Sequence, residues 1–478
     1  MKILIATGEF APLASVGELG TQVRTLAAEL KKLGHDVSVV IPFYRSVREG
    51  NYDIRSTGVE FQVNLGAKRA TTEIFETQGP DQIQVFLVRR DEYFDRSAIY
   101  SANARPYDDN AERFIFFSKS VVELGRRLAP SPDIIHCHDW TTALIPVFVK
   151  ERQLPFQTVL TVHDLENQGS FWSFDFALTN LPGSYFGPRG VEFYGRLNFL
   201  KGGILCSDAI TLPGETALHE ALTLEGGYGL HLVLQENASR MAGIPFGTDY
   251  SAINPPFEKL VAKKPKNGSV GGKAACREAL QFELDVKTPG MILACPLQAA
   301  DEKALASVTP LLDLILTATE RLVILGSVPE SFLASVIVAQ RKYPDRLAVI
   351  PNNQPRVEQL LVAGADVILL PSSLGFRSRT AIAALRYGTV PIVRFRVGLT
   401  QIVVDVDLVH ETGYGFIYYR EFPSALWDSI QRAKSLYSRS AEWQQLVTRA
   451  QSVDFSWAES GKAFSKLYAN LLRHREVS

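Results

Sequence analysis

The sequence has few cysteines and almost no net charge. Its four cysteines among 478 residues are Cys137, Cys206, Cys276 and Cys295. They lie far apart and form no CxxC pair, so their spacing supports neither a disulfide framework nor a zinc site, and we expect reduced thiols in a cytoplasm. The formal net charge of −1 provides no overall field that would attract nucleic acid or an anionic membrane surface.

Long apolar runs and targeting segments are also missing. No stretch reaches the roughly 18 uninterrupted apolar residues that indicate a transmembrane helix. The opening MKILIA predicts a strand, and it lacks the basic region and long apolar segment of a signal peptide. Hydrophobic residues nevertheless make up 46% of the chain, enough for large buried cores. At roughly 100–200 residues per domain, we expect two or three domains.

Short apolar runs alternate with amphipathic helical patterns in both halves of the chain. In the first half the predicted strands are KILIA, DVSVVIP, IQVFLVR, DIIHCH, TVLTVH and LCSDAITLP. In the second half they are GMILACPL, LVILGS, LAVIP, DVILLP and TVPIVR. This alternation predicts an α/β fold with doubly wound parallel sheets and helices on both faces. The chain from about residue 419 onward is predicted to be helical.

A change in composition separates the two halves. Residues 255–274 are rich in proline, glycine and lysine and have little apolar periodicity, which indicates a linker or exposed loop. We predict an N-terminal domain over 1–250, a linker or exposed loop over 251–274, a C-terminal domain over 275–455 and a closing helix over 456–478. Two doubly wound domains that face each other imply a cleft, and ligands of such sheets lie at the carboxyl ends of the strands.

Polar side chains follow two successive predicted strands, in HCHDW (136–140) and TVHDLENQG (161–169). They include His138, Asp139, His163, Asp164 and Asn167. Because clefts form at such strand ends, we interpret them as a candidate site. The alternative is a set of strand-end residues with local hydrogen bonds, and alternation can turn His136 inward. Histidine and carboxylate side chains can bind metals, but no tight ligand spacing such as HxxxH is present, so we predict no metal.

The stretch GEFAPLASVGELGTQV (8–23) has the order of a phosphate-binding loop, since a strand precedes it and a helix follows. Amides at a helix start point toward an anion, and glycine lets the backbone approach it. This loop contains no lysine, and it places Glu18 directly after Gly17. An acid therefore stands where a phosphate cradle favours a positive charge.

A second candidate anion site lies in the second half. The segment LLPSSLGFRSRTAIAALRYG carries Arg377 and Arg379 directly before a predicted helix. Two arginines at a helix start are typical of an anion site. The alternative, to which we give the same weight, is that both arginines are simply exposed to solvent.

Ordered segments along nearly the whole chain resemble the glycogen and starch synthase family. They include EFAP, FDR, DNAERF, HCHDW, TVHDLENQG, EFYGRLNFLKGGILCSD, ALRYGTVPIVR, GYGF and DFSW. The resemblance implies a GT-B architecture: two Rossmann-like domains, with the C-terminal helix crossing back to the first. It implies retaining, metal-free transfer of glucose from ADP-glucose to the 4-hydroxyl of an α-1,4-glucan end. On the glucan side it places His138, Asp139, His163, Asp164, Asn167 and Gln168.

The segments that this resemblance places around the nucleotide depart from the family pattern. The family's K-T-G-G-L-G reads SVGELG here, so Ser15 replaces its lysine and Glu18 its second glycine. Pro296 replaces an arginine, Phe246 an asparagine, and Gly375 the glutamate beside the donor sugar. The donor-binding positions carried over are Ser15, Gly17, Glu18, Phe246, Pro296, Lys303, Arg377, Arg379, Thr380, Gly398 and Leu399. No catalytic residue of the family is intact.

These departures bear on catalysis directly. A metal-free transferase must neutralise the departing diphosphate with its own groups, and losing one preorganised donor typically costs about 2.7–4 kcal/mol of barrier. We therefore hypothesise a catalytically impaired family member that binds α-glucan or a partner synthase, and we expect no cofactor. The alternative is an active glucosyltransferase that uses Arg377, Arg379 or Lys303 to hold ADP-glucose or another nucleotide sugar.

Overall fold

The computed structural model describes residues 1–102, 105–248, 272–284, 289–297, 302–316, 319–350, 355–371, 377–395 and 402–477. The chain divides into two compact units. The first comprises Met1–Gly247 and Trp457–Ser478, and the second comprises Thr248–Ser456. Residues 251–271 of the predicted linker lie outside the described residues, and a helix begins at Gly272, before the predicted end of that linker.

The first unit contains fourteen strands among its described residues. Its strands are β1 (Lys2–Ala6), β2 (Asp36–Pro42), β3 (Arg55–Leu65), β4 (Lys68–Gln78), β5 (Gln84–Arg89), β6 (Ser101–Ala102), β7 (Arg105–Pro106), β8 (Ile134–His138), β9 (Gln157–Thr161), β10 (Ser170–Phe171), β11 (Glu192–Phe193), β12 (Arg196–Asn198), β13 (Ala209–Leu212) and β14 (Met241–Gly243). Nine of the strands described so far form one sheet in the order β14-β13-β9-β8-β1-β2-β5-β4-β3. Strands β10, β12 and β11 form a small antiparallel sheet of their own.

The pairing in the large sheet is parallel from β14 to β5 and antiparallel from β5 to β3. The β3–β4 hairpin was not predicted from the sequence. Its strands alternate exposed and buried residues, because one face of this edge meets solvent. A search for continuous apolar runs finds buried parallel strands and misses this pattern.

Helices cover the first sheet. They span Leu19–Lys32, Arg45–Glu49, Asp91–Phe94, Asn110–Arg127, Leu144–Glu151, Phe176–Thr179, Phe199–Cys206, Glu215–Ala221, His231–Glu236 and Trp457–Val477. The predicted strand LCSDAITLP is wrong at its start, because Leu205 and Cys206 end a helix and the strand begins only at Ala209. A continuous apolar run does not distinguish a buried helix end from a strand.

The second unit has an entirely parallel sheet among its described strands. These are β15 (Ile292–Pro296), β16 (Arg321–Leu325), β17 (Leu347–Ile350), β18 (Val367–Leu370), β19 (Val390–Arg394) and β20 (Phe416–Tyr418), in the order β17-β16-β15-β18-β19-β20. Its helices span Gly272–Glu283, Glu302–Val308, Leu312–Leu316, Glu330–Lys342, Pro355–Gly364, Arg377–Tyr387, Pro423–Tyr437 and Ser440–Ser452.

Two separate cores flank this second sheet. Leu293 and Cys295 of β15 enter one core, while Ile292 and Ala294 enter the other. Alternate residues of a strand point to opposite faces, so both faces of the sheet are buried under helices. The predicted α/β class with doubly wound, mainly parallel sheets is confirmed.

The helix Trp457–Val477 packs on the first unit. Tyr468 is fully buried, and its hydroxyl lies 2.7 Å from Nδ1 of His136 on β8. Ser465 Oγ lies 2.8 Å from Nε2 of His35, and Ser460 Oγ donates to the carbonyl of Pro245 at 2.6 Å. In the part of the chain that the structure describes, no helix is long and apolar enough to cross a membrane.

Candidate functional site

Two neighbouring parallel strands of the first unit, β8 and β9, place polar side chains at their carboxyl ends. Strand β8 pairs with β1 on one side and with β9 on the other, and His138 stands opposite Thr161. Nδ1 of His138 consequently lies 2.9 Å from Nε2 of His163, two residues beyond Thr161. The structure therefore brings these two histidines into direct contact.

Gln22 determines which nitrogens of this pair carry protons. It lies on the helix Leu19–Lys32, and its Oε1 is 2.9 Å from Nδ1 of His163. An amide oxygen only accepts hydrogen bonds, so Nδ1 of His163 donates, and its Nε2 accepts from Nδ1 of His138. Nε2 of His138 is then a bare acceptor, buried without a hydrogen-bond partner among the described residues.

All three histidines at this edge are neutral near pH 7. Burial lowers the pKa of His136 and of His163 to about 3, and it lowers the pKa of His138 well below its ordinary value. His163 keeps part of its surface exposed, but Phe246 stacks on one face of its ring and His138 contacts its edge, so water reaches little of the imidazole. Neutral imidazoles of this kind suit hydroxyl groups, which both donate and accept.

Asp139 ties the ends of β8 and β9 together. Its Oδ1 accepts from the backbone N–H of His163 at 2.7 Å and from that of Asp164 at 3.4 Å. Asp139 has φ of 57°, a left-handed conformation that aspartate tolerates better than most residues. Burial raises the pKa of its carboxyl group to about 7, although the two amide donors oppose this change.

His136 serves the interior. It is fully buried, with Nε2 at 2.6 Å from Oγ1 of Thr161 and Nδ1 at 2.7 Å from the Tyr468 hydroxyl. Oγ1 of Thr161 continues to Oγ1 of Thr211 on β13 at 2.6 Å. The network therefore links strands β8, β9 and β13 to the C-terminal helix, and His136 has the inward orientation that alternation allowed.

The loop after β9 presents a more exposed group. Asp164 and Asn167 are exposed, and Nδ2 of Asn167 donates to Oδ2 of Asp164 at 2.6 Å. Gln168 is committed to the protein, since its Nε2 donates to the carbonyls of Leu165 and Tyr228. Of these three side chains, Asn167 and Asp164 are the ones that face solvent.

The loop after β1 holds an internal anion. Oε2 of Glu9 accepts from the backbone N–H groups of Val16 at 2.7 Å and Gly17 at 3.2 Å, and Ser15 Oγ lies 3.5 Å away. Oε1 of the same residue accepts from the Tyr100 hydroxyl at 2.9 Å. Glu9 is 4% exposed, so a buried carboxylate occupies the amides that the phosphate-loop pattern offers to a ligand.

Comparison with known proteins gives one consistent answer. The model of the starch synthase catalytic domain matches residues 2–236. Glycogen synthase 2 of Geobacter metallireducens is 34% identical, with 99% of this chain and 100% of the relative covered, and glycogen synthase of Geotalea daltonii is 34% identical over 99% of each. The chain belongs to the glycogen and starch synthase family.

A comparison with solved structures shows the fold. The catalytic domain of starch synthase IV from Arabidopsis thaliana, bound to ADP and acarbose, superposes with a TM-score of 0.69 over 99% of both chains at 24% identity. This similarity shows the GT-B fold. In the described part of the chain, no group of three or more His, Cys, Asp or Glu side chains is placed to hold a metal ion.

The positions matched to the donor side of the synthases fall in both units. Phe246 stacks between His163, at 4.7 Å, and Trp457, at 5.9 Å, so it forms a wall of the strand-end group. Pro296 ends β15, and the Lys303 side chain is exposed on a short helix. Arg377, Arg379 and Thr380 lie on the helix Arg377–Tyr387. Gly375, Gly398 and Leu399 lie outside the described residues.

Four residues of these networks were missed by sequence reasoning: Glu9, Gln22, Tyr100 and Tyr468. Gln22 and Tyr468 meet histidines that are 141 and 332 residues away in sequence, so no local pattern reveals the contacts. Glu9 gave one signal, since it is an acid in the otherwise uncharged segment ATGEFAPLAS.

Proposed function

We propose that this chain binds α-glucan at the ends of β8 and β9 and is catalytically impaired as a glucosyltransferase. It would then hold glucan either alone or beside a partner synthase that elongates it. Its glycogen synthase relatives support the choice of glucan. The neutral histidines, Asp139 and the exposed Asn167 support a site for sugar hydroxyls rather than for a charged ligand.

The departures from the family pattern at Ser15, Glu18 and Pro296 carry the proposal of impairment. Glu9 belongs to the family-like segment EFAP and holds the loop by accepting from the N–H groups of Val16 and Gly17, whereas Glu18 adds a negative charge to the same loop. Ser15 and Pro296 stand at the positions where the family has a lysine and an arginine, and neither side chain carries charge. Preorganised positive groups stabilise the departing diphosphate in the transition state, so their loss slows transfer.

Calorimetry with ADP-glucose, ADP and maltoheptaose, with glucose transfer measured in the same samples, tests both parts. We expect saturable binding of maltoheptaose, no binding of either nucleotide and no transfer. Saturable ADP-glucose binding with transfer would overturn the impairment and favour a donor site rebuilt from Arg377, Arg379 or Lys303. Absence of maltoheptaose binding would overturn the glucan site.

A variant locates the glucan on the strand ends. Asn167→Ala removes an exposed amide without touching a core, so we expect weaker maltoheptaose binding and unchanged thermal stability. Asn51→Ala is the matched control, because Asn51 is also exposed but lies before β3 at the far edge of the sheet. If the two variants bind maltoheptaose with equal affinity, the glucan does not bind at the ends of β8 and β9.

A further inference from the structure

Aromatic side chains are concentrated on the surface of one segment of the first unit. The small sheet of β10, β11 and β12 and its flanking loops expose Trp172 by 63%, Phe174 by 70% and Tyr194 by 84%. Tyr228, in the loop between the helices Glu215–Ala221 and His231–Glu236, is 52% exposed. Rings of this size normally lie in a core, so their exposure indicates a binding surface.

Two of these tyrosines sit in a backbone conformation that disfavours them. Tyr194 and Gly195 form the two-residue turn between β11 and β12, with φ of 48° and 74°. Tyr228 and Gly229 repeat this arrangement, with φ of 47° and 86°. Both central positions of such a type I′ turn require positive φ, for which asparagine and glycine are preferred.

A bulky residue at positive φ costs free energy, and such strain concentrates at functional sites. Asparagine would satisfy both turns better. Among the described residues, the hydroxyls of Tyr194 and Tyr228 make no hydrogen bond that would offset this cost within the chain. The Tyr194 ring contacts Phe193, but both phenol hydroxyls stay available to a ligand.

The four exposed rings belong to one surface. The ring centroids of Phe193 and Tyr194 are 4.6 Å apart, and a methyl group added at Gly229 would stand 3.6 Å from Phe193, so the two tyrosine turns are neighbours. On the other side, Arg196 donates through Nε to Ser170 Oγ at 2.9 Å. This contact joins the hairpin to β10.

Trp172 follows that strand directly. The register pairs Phe171 with Leu197, which places Trp172 beside Arg196. The rings of Trp172 and Phe174 are 4.4 Å apart. The aromatic surface is thus defined by Trp172, Phe174, Tyr194 and Tyr228.

We infer that the aromatic surface is a second α-glucan-binding site on this chain. The inference rests on the proposed function. Sugar rings present apolar C–H faces and hydroxyl edges, which match aromatic faces that alternate with the polar groups of Arg196, Ser170 and the phenols. Gln168 connects the two sites, because its Nε2 donates to the carbonyl of Tyr228 at 2.9 Å. The segment 163–172 therefore carries residues of both regions.

The tyrosine turns allow a test in which binding and stability change in opposite directions. In Tyr194→Asn/Tyr228→Asn each ring is lost while the turn gains its preferred residue. We expect the melting temperature to rise, and the dissociation constant for glycogen, from retardation in native gels, to rise at least tenfold. Phe282→Ala is the control, since Phe282 is 88% exposed in the second unit, and we expect unchanged retardation.

Two further measurements separate this site from the strand-end site and from other occupants. Maltoheptaose should change the tryptophan fluorescence of Trp172→Phe less than that of the wild type, because only Trp457, stacked on Phe246 at the strand-end site, then responds. If glycogen retards the double asparagine variant as much as the wild type, the aromatic surface is not a glucan site, and the strand-end site is unaffected by this result. If glycogen does not retard the wild type, the proposed function is overturned. A dimer of the wild type that the double variant abolishes, with glucan affinity unchanged, would assign the surface to a second copy of the chain.

Discussion

Oε1 of Gln22 lies 2.9 Å from Nδ1 of His163, and this contact sets the proton positions on two histidines. The acceptor on Gln22 makes His163 a donor at Nδ1, which in turn leaves the buried Nε2 of His138 as an acceptor. A helix that follows the first loop therefore controls the chemistry of two strand ends.

Gln22→Glu should raise the pKa of His163. A carboxylate beside an imidazole favours the protonated form, typically by about 1–3 pH units. Nitrogen-detected NMR titration of the imidazoles measures this change. Gln22→Met, which has a similar size and no acceptor, should leave the pKa low. An unchanged titration of His163 in Gln22→Glu would contradict the contact.

Acid should destabilise the protein strongly between about pH 6.5 and 3. The lowered pKa values of His136, His138 and His163 mean that the unfolded chain binds protons in this range and the folded chain does not. Stability therefore falls as pH drops, by at most about 1.4 kcal/mol per pH unit for each histidine. Urea denaturation of His163→Asn should show a shallower slope, whereas the exposed control His219→Asn should keep the wild-type slope.

Asp139 should make stability depend on pH in the opposite direction to the histidines, and Asp139→Asn should remove this dependence. The raised pKa of Asp139 means that the folded chain keeps a proton that the unfolded chain loses, so this group lowers stability as pH rises from about 4 to 7. Asparagine tolerates the positive φ and still accepts from the amide of His163. The stability of the variant relative to the wild type should increase with pH over that range. A stability difference between the two proteins that stays constant from pH 4 to 7 would contradict this prediction.

Ser15→Lys/Glu18→Gly should create affinity for ADP. The double variant restores the lysine and the glycine that the family places in this loop and removes one negative charge. A hydrogen bond to a charged group is worth about 1.5–3 kcal/mol, so affinity should rise at least tenfold in calorimetry. Ser56→Lys/Glu60→Gln, on the exposed edge strand β3, makes the same change in charge and should have no effect. Equal ADP affinity of both variants would show that the loop does not face the nucleotide.

Tyr468→Phe should destabilise the first unit by about 1–3 kcal/mol, because it leaves Nδ1 of the buried His136 without a partner. Thermal and urea denaturation measure the loss. Tyr419→Phe, at a 66% exposed position, is the control that should change little. A variant as stable as the wild type would mean that the hydroxyl contributes nothing at this contact.

The sequence was informative where strands are buried on both faces. Continuous apolar runs such as DIIHCH and TVLTVH mark β8 and β9, and the residue that ends each run is then placed at the sheet edge. Strands β3 and β4 were missed, since a half-exposed antiparallel edge has no such run. The roles of Gln22 and Tyr468 depend on contacts between distant segments, which a single sequence does not reveal.

The donor side shows a different limit. Ser15 and Glu18 were recognised as departures by comparison with a family pattern. The hydrogen bonds from Val16 and Gly17 to the Glu9 carboxylate depend on the conformation of the loop, which the sequence does not show. Gly375, Gly398 and Leu399 lie outside the described residues and stay predictions.

The contact between Tyr468 and His136 also has a consequence for the order of synthesis. A ribosome releases the strand that carries His136 more than three hundred residues before the helix that covers it. The whole second unit, Thr248–Ser456, emerges in between. The second unit has all of its chain before the first does, so the first unit, although begun earlier, is the later of the two to be completed.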